Sequence, residues 1–410
     1  MLRPFIPAEN GTAARKTKNR AERIVERVLS LDPGRSQGEL SRILSALSGR
    51  HTNLEGTLRQ GFRSVAERHL HGRPITPEQE LLIGAYFTEE YSFEAAALFN
   101  PGVVVHPDQS GAPKNTTRVL ISLRAVGEGH VSSICFRTAI FDGEDLEIAP
   151  AAPLAGSPEI AEIPGGKPND PWIRLTYGDA HDPSQIVIFP VTYAQRHGIE
   201  DLRLTRFVDE DGQQAYFGTY TAFSGEGIRQ ELLRTVDFKT FELSVLRGEH
   251  SATKGMALFP RRIGGCYAML GRHDHENIWL LTSSDIHCWN EGEVIVSPRW
   301  PWEFIQMGNS GPPIELDEGW LVITHGVGPI RGYCLGACLL DKKKPWKVLA
   351  RSTEPLLRPN PTMRDGYVPN VVYSCGALAV GRTLLLPYGI ADTFTAFATV
   401  EVDALLSTLS

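Results

Sequence analysis

Hydrophobic positions near the start of the chain recur with a helical period. In the first such stretch apolar side chains lie three or four residues apart, at Ile24, Val25, Val28 and Leu29. Similar spacing predicts two more helices over about residues 37–47 and 54–70, with Ser36 as the N-cap of the former. A fourth helix is predicted to begin at Pro77, with Thr76 as its candidate N-cap.

From Phe99 onward the pattern changes to short runs of β-branched and aromatic residues, separated by Gly, Asp, Asn and Pro. The clearest predicted strands cover residues 103–106, 119–123, 134–141, 186–189, 215–220, 266–270, 278–282, 320–324, 333–340 and 383–388. Many short strands predict a sandwich, a barrel or a propeller. A recurrence of strand, turn and strand about every fifty residues favours a propeller. Its blades are predicted near residues 100–150, 170–225, 235–290, 295–345 and 365–405.

These two patterns divide the chain into two predicted regions. Residues 1–95 are expected to form a helical N-terminal extension, and residues 96–410 an all-β five-bladed propeller. The apolar faces of the helices, represented by Ile24, Val28 and Leu31, must be buried against something. That surface is either the flank of the propeller or a second subunit, and we expect a homo-oligomer.

Composition narrows the function classes. The 410 residues are 42% hydrophobic and 22% charged, which is typical of a globular protein, and the net charge of −7 comes with no long basic run. We therefore expect no nucleic-acid partner. The six cysteines are scattered without metal-ligand spacing, and His273-Asp274-His275 is interpreted as a polar turn, so no metal is expected. No signal peptide or apolar run of membrane-spanning length is visible, which predicts a cytoplasmic protein without a membrane partner.

The most informative local feature is an acidic pair followed by arginines. Glu200 and Asp201 precede Arg203 and Arg206, and a strand-like run follows over residues 215–222. This arrangement predicts a sugar-binding loop at the mouth of a sheet, where a carboxylate acts as a proton donor. Adjacent acids are, however, also common in solvated turns.

Other polar clusters fall at similar places in the predicted blades, whose inner ends would converge on one cavity. Cleavage of a glycoside requires a proton donor and, on the opposite face of the sugar, a nucleophile. If inorganic phosphate is that nucleophile, a basic pocket replaces the second carboxylate. Lys254, Arg272 and His325 are suitable residue types. Their alternatives are an exposed turn, a surface ion pair and a buried core histidine, respectively.

Seven motifs together resemble glycoside hydrolase family 130, the β-mannoside phosphorylases and β-mannosidases, over about residues 99–402. They are Phe99-Asn100-Pro101, Glu200-Asp201-x-Arg203, Leu258-Phe259-Pro260, Gly308-x-x-Gly311-Pro312-Pro313-Ile314, Gly319-Trp320-Leu321 with His325-Gly326-Val327, Tyr367-Val368-Pro369-Asn370 with Cys375-Gly376, and Tyr388-Gly389-x-Ala391-Asp392-Thr393. The helical region lies outside this resemblance.

The resemblance implies a five-bladed propeller with the active site in its central cavity. It implies that phosphate attacks the anomeric carbon with inversion and converts a β-mannoside of a short manno-oligosaccharide into α-mannose 1-phosphate. Phosphate is then a co-substrate, and no cofactor is implied. Asp201 matches the acid, whose proton is thought to reach the glycosidic oxygen through the 3-hydroxyl of the mannose. The implied sugar-binding residues are Asn100, Arg124, Arg203 and Asp392. The implied phosphate-binding residues are Lys254, Arg272, His325 and Tyr333.

Two departures from the family pattern keep alternatives open. Gln306 stands where many phosphorylases of the family have a lysine, and Lys254 stands where an arginine is common. Hydrolytic members use a carboxylate to activate water, and Glu128 and Glu315 are conceivable bases. The alternatives are therefore a β-mannosidase and, from another class, a non-catalytic carbohydrate-binding propeller. The cleaved linkage and the acceptor sugar are left open.

Overall fold

The computed structural model describes residues 1–7, 19–51, 53–167, 170–178, 180–363 and 365–410. Contacts divide these residues into two compact units. The first unit comprises residues 1–92 with 152–160 and 176–186; the second comprises residues 93–151, 161–175 and 187–410.

The first unit contains four helices and a small sheet. Its elements are β1 (Leu2–Pro4), α1 (Arg20–Leu29), α2 (Pro33–Leu47), α3 (Leu54–Gly61), α4 (Pro77–Tyr86) and β2 (Thr88–Glu90). Beyond α3 the helical path continues as a π turn over Phe62–Ala66 and a 3-10 turn over Glu67–His69. The sheet pairs β1 with β2 in antiparallel register.

The helices of this unit cover one another's apolar faces. Val25 and Val28 of α1 are buried in one cluster with Leu82 of α4, and Ile24 and Leu31 pack against it. Burial within the unit satisfies the hydrophobic faces that the sequence pattern identified. These faces therefore do not require a second subunit.

Capping residues explain where two of the helices begin. Thr76 accepts a hydrogen bond from the backbone of Gln79, which confirms the predicted N-cap of α4. The prediction that Ser36 caps α2 is wrong, because Asp32 is the cap and Pro33 occupies the first helical position. Proline suits that position because its missing N–H would have no helical partner there.

Most of the second unit is a five-bladed β-propeller, which confirms the predicted fold class. Blade 1 contains β3 (Ala97–Val105), β4 (Thr117–Val126), β5 (Ser132–Phe141) and β6 (Leu146–Ile148). Blade 2 contains β7 (Glu159–Lys167) and β8 (Asp170–Thr176), which pair outside β10 (Ile199–Val208), β11 (Gln214–Phe223), β12 (Ile228–Thr235) and β13 (Thr240–Val245). The short strand β9 (Val187–Ile188) pairs with β5.

Three further blades complete the propeller. Blade 3 contains β14 (Ala257–Leu258), β15 (Tyr267–Gly271), β16 (Ile278–Ser283) and β17 (Glu291–Val296). Blade 4 contains β18 (Gln306–Asn309), β19 (Ile314–Glu315), β20 (Trp320–Val327), β21 (Tyr333–Leu340) and β22 (Val348–Arg351). Blade 5 contains β23 (Val372–Tyr373), β24 (Leu378–Val380), β25 (Thr383–Ile390) and β26 (Phe394–Glu401), and helix α5 (Val402–Ser407) follows.

Two details of the predicted blades were wrong. The segment predicted as a loop around Glu200 and Asp201 is strand β10, because a bulge at this point interrupts the two-residue alternation that identifies a strand. The third blade was predicted to begin near residue 235, yet β13 over Thr240–Val245 belongs to blade 2. The outer hairpin of β7 and β8 pairs beyond β13 and enlarges this blade to six strands.

The capping analysis of α2 predicts unequal effects for two neighbouring polar residues. Asp32→Ala should lower the free energy of unfolding by about 1 kcal/mol, because it removes the side chain that caps the helix. Ser36→Ala should change it little, since the buried Ser36 hydroxyl has no hydrogen-bond partner within the described residues. Urea denaturation followed by circular dichroism measures both. A larger loss for Ser36→Ala would contradict this assignment of the cap.

Candidate active site

Asp201 lies at a bulge in β10, the first strand of its sheet. The pairing of β10 with β11 slips by one residue between Glu200 and Arg203, and Asp201 adopts a left-handed backbone with φ of 56°. Neighbouring side chains of a regular strand point to opposite faces. The bulge instead allows Glu200 and Asp201 to reach the same guanidinium, that of Arg124 on β4.

Blade 1 carries a matching irregularity in β3. The register slips between Phe99 and Gly102, and Asn100 has a φ of 48°. The Asn100 Nδ2 donates to Asp201 Oδ1 at 2.9 Å. Gly389 permits this approach, because a Cβ there would lie 2.8 Å from Asn100 Oδ1. The bulges in β3 and β10 therefore place the Asn100 amide within hydrogen-bond distance of the Asp201 carboxylate.

Ion pairs link four charged side chains in one series: Asp201, Arg124, Glu200 and Lys254. Arg124 donates to Glu200 Oε1 at 2.8 Å and to Asp201 Oδ1 at 3.4 Å. Lys254 Nζ donates to the other Glu200 oxygen, Oε2, also at 2.8 Å. Charge-assisted hydrogen bonds of this length are the strong ones in proteins. Lys254, expected on the phosphate side, is therefore held by a carboxylate.

The environment of Asp201 favours its ionised form. Burial alone would raise the pKa of this carboxyl, but the charges of Arg124 and Arg203 and the hydrogen bond from Asn100 hold the pKa below its ordinary value. The ligand-free protein thus carries Asp201 as a carboxylate near neutral pH.

The pKa of Asp392, unlike that of Asp201, is raised above its ordinary value. It follows Ala391 in the connection after β25, and both residues have a left-handed backbone, with φ near 50°. Burial, followed by the neighbouring charges of Asp201 and Glu200, raises the pKa of Asp392 to about 6. Carboxyl groups whose pKa values are driven apart in one site are typical of acid–base catalysis.

A second polar cluster lies on blades 3 and 4. Arg272 follows β15, and its NH1 lies 3.0 Å from His325 Nε2. A guanidinium can only donate, so Nε2 accepts; the ring proton is then on Nδ1 and is donated to Ser310 Oγ at 3.2 Å. Gly308 makes room for this contact, because a Cβ there would lie 2.6 Å from His325 Cε1.

His325 is not the cation that the sequence suggested. It is 1% exposed, and burial together with the charges of Arg272 and Arg203 lowers its pKa well below the usual value. An imidazole in such surroundings is neutral at physiological pH. The His325 ring can orient the Arg272 guanidinium by accepting its hydrogen bond, but it adds no positive charge.

Arg203 and Tyr373 connect the two clusters. Arg203 is 2% exposed; its NH2 donates to the Tyr373 hydroxyl at 2.6 Å, and its NH1 lies 3.5 Å from the backbone oxygen of Asp201. The Tyr373 ring is 4.9 Å from that of His325 and 6.4 Å from that of Tyr333. Burial raises the pKa of Tyr373 to about 12, so its hydroxyl keeps its proton.

Arg203 and Arg272 have no carboxylate partner within ion-pair distance among the described residues. The Nε of each is also buried without a hydrogen-bond acceptor there. Buried guanidinium groups are costly unless an anion or several acceptors satisfy them. The buried Arg203 and the half-buried Arg272, beside a neutral histidine and a tyrosine hydroxyl, form a site suited to an anion.

The predicted residues thus gather in two connected clusters. The acid cluster contains Asn100, Arg124, Asp201, Lys254 and Asp392. The anion cluster contains Arg203, Arg272, His325 and Tyr333. Sequence reasoning missed Tyr373, which follows two valines and fitted a core strand, and it gave Glu200 no role of its own. The position of Glu200 beside Asp201 was the available indication.

Glu315, a conceivable base for hydrolysis, lies outside these clusters. It accepts two hydrogen bonds from Arg261, at 2.9 and 3.0 Å, and these bonds, together with the nearby Lys342, lower its pKa. Glu128 is exposed in a short turn over Glu128–His130. Within the described ranges, no three His, Cys, Asp or Glu side chains are grouped to bind a metal ion. No helix in those ranges is long and apolar enough to cross a membrane.

An aromatic pair lies near Asp392, and an exposed isoleucine lies in blade 4. The rings of His130 and Tyr367 lie 5.9 Å apart at 30°, and the Tyr367 N–H donates to Thr393, the residue after Asp392. Tyr367 is 76% exposed. Ile330, from blade 4, is 89% exposed and has a φ of 55°, which is unfavourable for a β-branched residue. Strain of this kind is typical of functional positions.

Comparisons with known proteins identify chains that are similar in sequence and in fold. A glycoside hydrolase 130 family model, described as beta-1,4-mannooligosaccharide phosphorylase, matches residues 178–410. A 1,2-beta-oligomannan phosphorylase of Thermoanaerobacter sp. (strain X514) is 36% identical over 217 residues, which cover 52% of this chain and 71% of that protein. A beta-1,2-mannobiose phosphorylase of Listeria innocua is 32% identical over 232 residues, which cover 54% and 63% of the respective chains.

A solved structure shares the fold. The beta-1,2-mannobiose phosphorylase from Listeria innocua, in complex with beta-1,2-mannobiose, superimposes with a TM-score of 0.55 at 22% identity. The match covers 76% of this chain and 92% of that one.

A five-bladed propeller in which an arginine and an amide hold a carboxylate, close to arginines without a carboxylate partner among the described residues, has the groups of a carbohydrate-active enzyme. The chain belongs to glycoside hydrolase family 130, and it is an enzyme of this family of β-mannoside phosphorylases.

The raised pKa of Asp392 predicts a pH-dependent cost to stability. Because the folded protein binds this proton more tightly than the unfolded chain, stability is lost as pH rises from about 4 to about 6. Asp392→Asn removes the charge and should therefore raise the free energy of unfolding at pH 7.5. The full shift corresponds to about 3 kcal/mol, and solvent screening reduces the expected gain to about 1 to 2 kcal/mol.

Urea denaturation at pH 7.5 and pH 4.5 tests this expectation, and most of the gain should disappear at the lower pH. Asp209→Asn is the matched control, since the hydrogen bond from Arg262 lowers the pKa of Asp209 and its replacement should destabilise the protein at pH 7.5. An Asp392→Asn protein no more stable than wild type at pH 7.5 would contradict the assigned environment.

Proposed function

We propose that this enzyme is an inverting β-mannoside phosphorylase, which cleaves short manno-oligosaccharides with inorganic phosphate to give α-mannose 1-phosphate. The observation that carries this proposal is that Arg203, which is buried beside Asp201, and Arg272, which is half-buried beside His325, lack carboxylate partners among the described residues. An acid alone serves many glycosidases, whereas an anion site beside it suits a phosphate nucleophile.

Phosphate is assigned to the anion cluster. The unpaired donors of Arg203 and Arg272 supply charge-assisted hydrogen bonds to a dianion, and the Tyr373 hydroxyl supplies a neutral one. His325 fixes the Arg272 guanidinium through its Nε2. Tyr333, with its ring centroid 6.3 Å from that of His325, closes the cluster on blade 4.

The sugar is assigned to the acid cluster and the nearby apolar side chains. Asn100, Arg124 and Asp392 supply amide, guanidinium and carboxyl groups for sugar hydroxyls, which suits recognition of a polar hexose. His130 and Tyr367 supply aromatic surface for the sugar that leaves.

In the proposed reaction a phosphate oxygen forms a bond to the anomeric carbon while the bond from that carbon to the glycosidic oxygen breaks. Asp201 gives its proton to the leaving oxygen, through the mannose 3-hydroxyl as the family resemblance implies, and remains as a carboxylate. The next cycle requires Asp201 to be protonated again. Phosphate bound at Arg203 adds negative charge near Asp201 and raises its pKa toward the range that proton donation requires.

A β-mannosidase is the second candidate function. Gln306 on β18 brings no charge to the cavity, and Lys254 is engaged by Glu200, so the positive charge available to phosphate is smaller than in the family pattern. A non-catalytic carbohydrate-binding propeller is less consistent with the site, because a neutral sugar gains little from arginines that lack a carboxylate partner.

Product analysis distinguishes these candidates. β-1,2- and β-1,4-linked manno-oligosaccharides are the appropriate substrates to test, because the similar phosphorylases are named for these linkages. Mannose 1-phosphate should form only when phosphate is added, and free mannose should not accumulate. Free mannose formed equally without phosphate would identify a hydrolase. Sugar binding without either product would identify a binding protein.

Asp201→Asn should lower turnover by a factor on the order of 10² to 10⁴, because the amide keeps the shape of the side chain but cannot supply the proton. Initial rates of mannose 1-phosphate formation measure this loss, and circular dichroism confirms that the fold is retained. Asp209→Asn, at the other end of β10, is the control and should retain wild-type turnover. Full activity of Asp201→Asn would exclude Asp201 as the acid.

A further inference from the structure

Glu200 joins two cations that serve different parts of the site. Its side chain is 12% exposed; one carboxylate oxygen accepts from Arg124 and the other from Lys254, each at 2.8 Å. Arg124 also contacts Asp201, whereas Lys254 has no second carboxylate within ion-pair distance among the described residues. Glu200 is therefore the group that holds Lys254 toward the acid cluster.

Lys254 is also close to the anion cluster through the backbone. The neighbouring Thr253 hydroxyl donates to the backbone oxygen of Arg272 at 2.7 Å, and a Cβ on Gly255 would lie 3.8 Å from Arg203 NH2. The loop that carries Lys254 thus borders both unpaired arginines. The lysine side chain itself is 38% exposed and ends in a compact charge on a flexible stem. Such a side chain can exchange one anion for another without movement of the backbone.

We propose that Glu200 is a positioning residue that holds Lys254 while the anion cluster is empty and releases it to phosphate when phosphate binds beside Arg203 and Arg272. This inference rests on the proposed phosphorylase function. A phosphate dianion carries two charges, whereas Glu200 carries one and shares it with Arg124, so the lysine is drawn to phosphate. Glu200 keeps Arg124 as its partner after the exchange.

The exchange implies that Glu200 competes with phosphate for Lys254. Glu200→Gln keeps the shape of the side chain but removes the competing charge, and it should tighten phosphate binding by roughly two- to fivefold, the range expected for a partly exposed ion pair. Glu200→Asp retains the charge on a side chain one methylene shorter and should weaken its hold on Lys254, so that binding tightens by a smaller factor.

Calorimetric titration with inorganic phosphate, without sugar, measures the dissociation constants directly. The full chain is compared as wild type, Glu200→Gln, Glu200→Asp, Lys254→Gln and the double variant Glu200→Gln/Lys254→Gln. Lys254→Gln alone should weaken binding. In the Lys254→Gln background, Glu200→Gln should have no further effect, because Glu200 acts through the lysine. If Glu200 merely supported the fold, Glu200→Gln would change the phosphate dissociation constant by the same factor whether residue 254 is lysine or glutamine.

Asp209→Asn is the matched control, because Asp209 accepts from Arg262 at 2.7 Å next to the opposite end of the same strand, and phosphate binding should be unchanged. The inference is overturned if Glu200→Gln binds phosphate no more tightly than wild type, or if its effect persists without Lys254. Should Glu200→Gln fail to fold, the same criteria apply to Glu200→Asp. Wild-type protein that neither binds phosphate nor forms mannose 1-phosphate would instead refute the proposed function, which is a separable result.

Discussion

The arrangement of the site depends on the contact of Arg124 with two adjacent carboxylates, Glu200 and Asp201. A regular strand would direct these side chains to opposite faces, so the contact requires the bulge in β10. The charge of Arg124 outweighs, together with that of Arg203, the effect of burial on Asp201 and keeps the pKa of this carboxyl low. The bulge at Asn100 in blade 1 supplies the second partner of the acid. Local backbone irregularity, which the propeller scaffold tolerates, is thus the structural basis of the acid cluster.

The cations of the site differ in whether they are paired with a carboxylate. Arg124 and Lys254 are paired with Glu200, whereas Arg203 and Arg272 lack carboxylate partners in the described residues. This asymmetry gives the two sides of the site different chemistry, with a carboxylate compensated by cations on one side and guanidinium groups without a carboxylate partner on the other. The Arg203 side chain connects them, so an anion bound on one side influences the proton affinity of the other.

Much of the fold could be predicted from the sequence because strand periodicity and turn residues are local properties. The family motifs also singled out Asn100 and Asp201, whose side chains lie 2.9 Å apart in the structure. The pairing of Lys254 with Glu200 and the neutrality of His325 could not be predicted, since both depend on burial and on neighbours from other blades. The bulge at Asp201 disrupted the alternation that would have identified β10, so its strand was predicted as a loop.

In the proposed reaction phosphate lies between Arg203 and Arg272 while Asp201 faces the sugar. A crystal structure of the full chain soaked with phosphate and a manno-oligosaccharide would locate both. We expect a tetrahedral anion within hydrogen-bond distance of both guanidinium groups, on the side of the mannose opposite its glycosidic oxygen. A bound sugar with an ordered water at that position, held by a carboxylate and with no anion at Arg272, would contradict it.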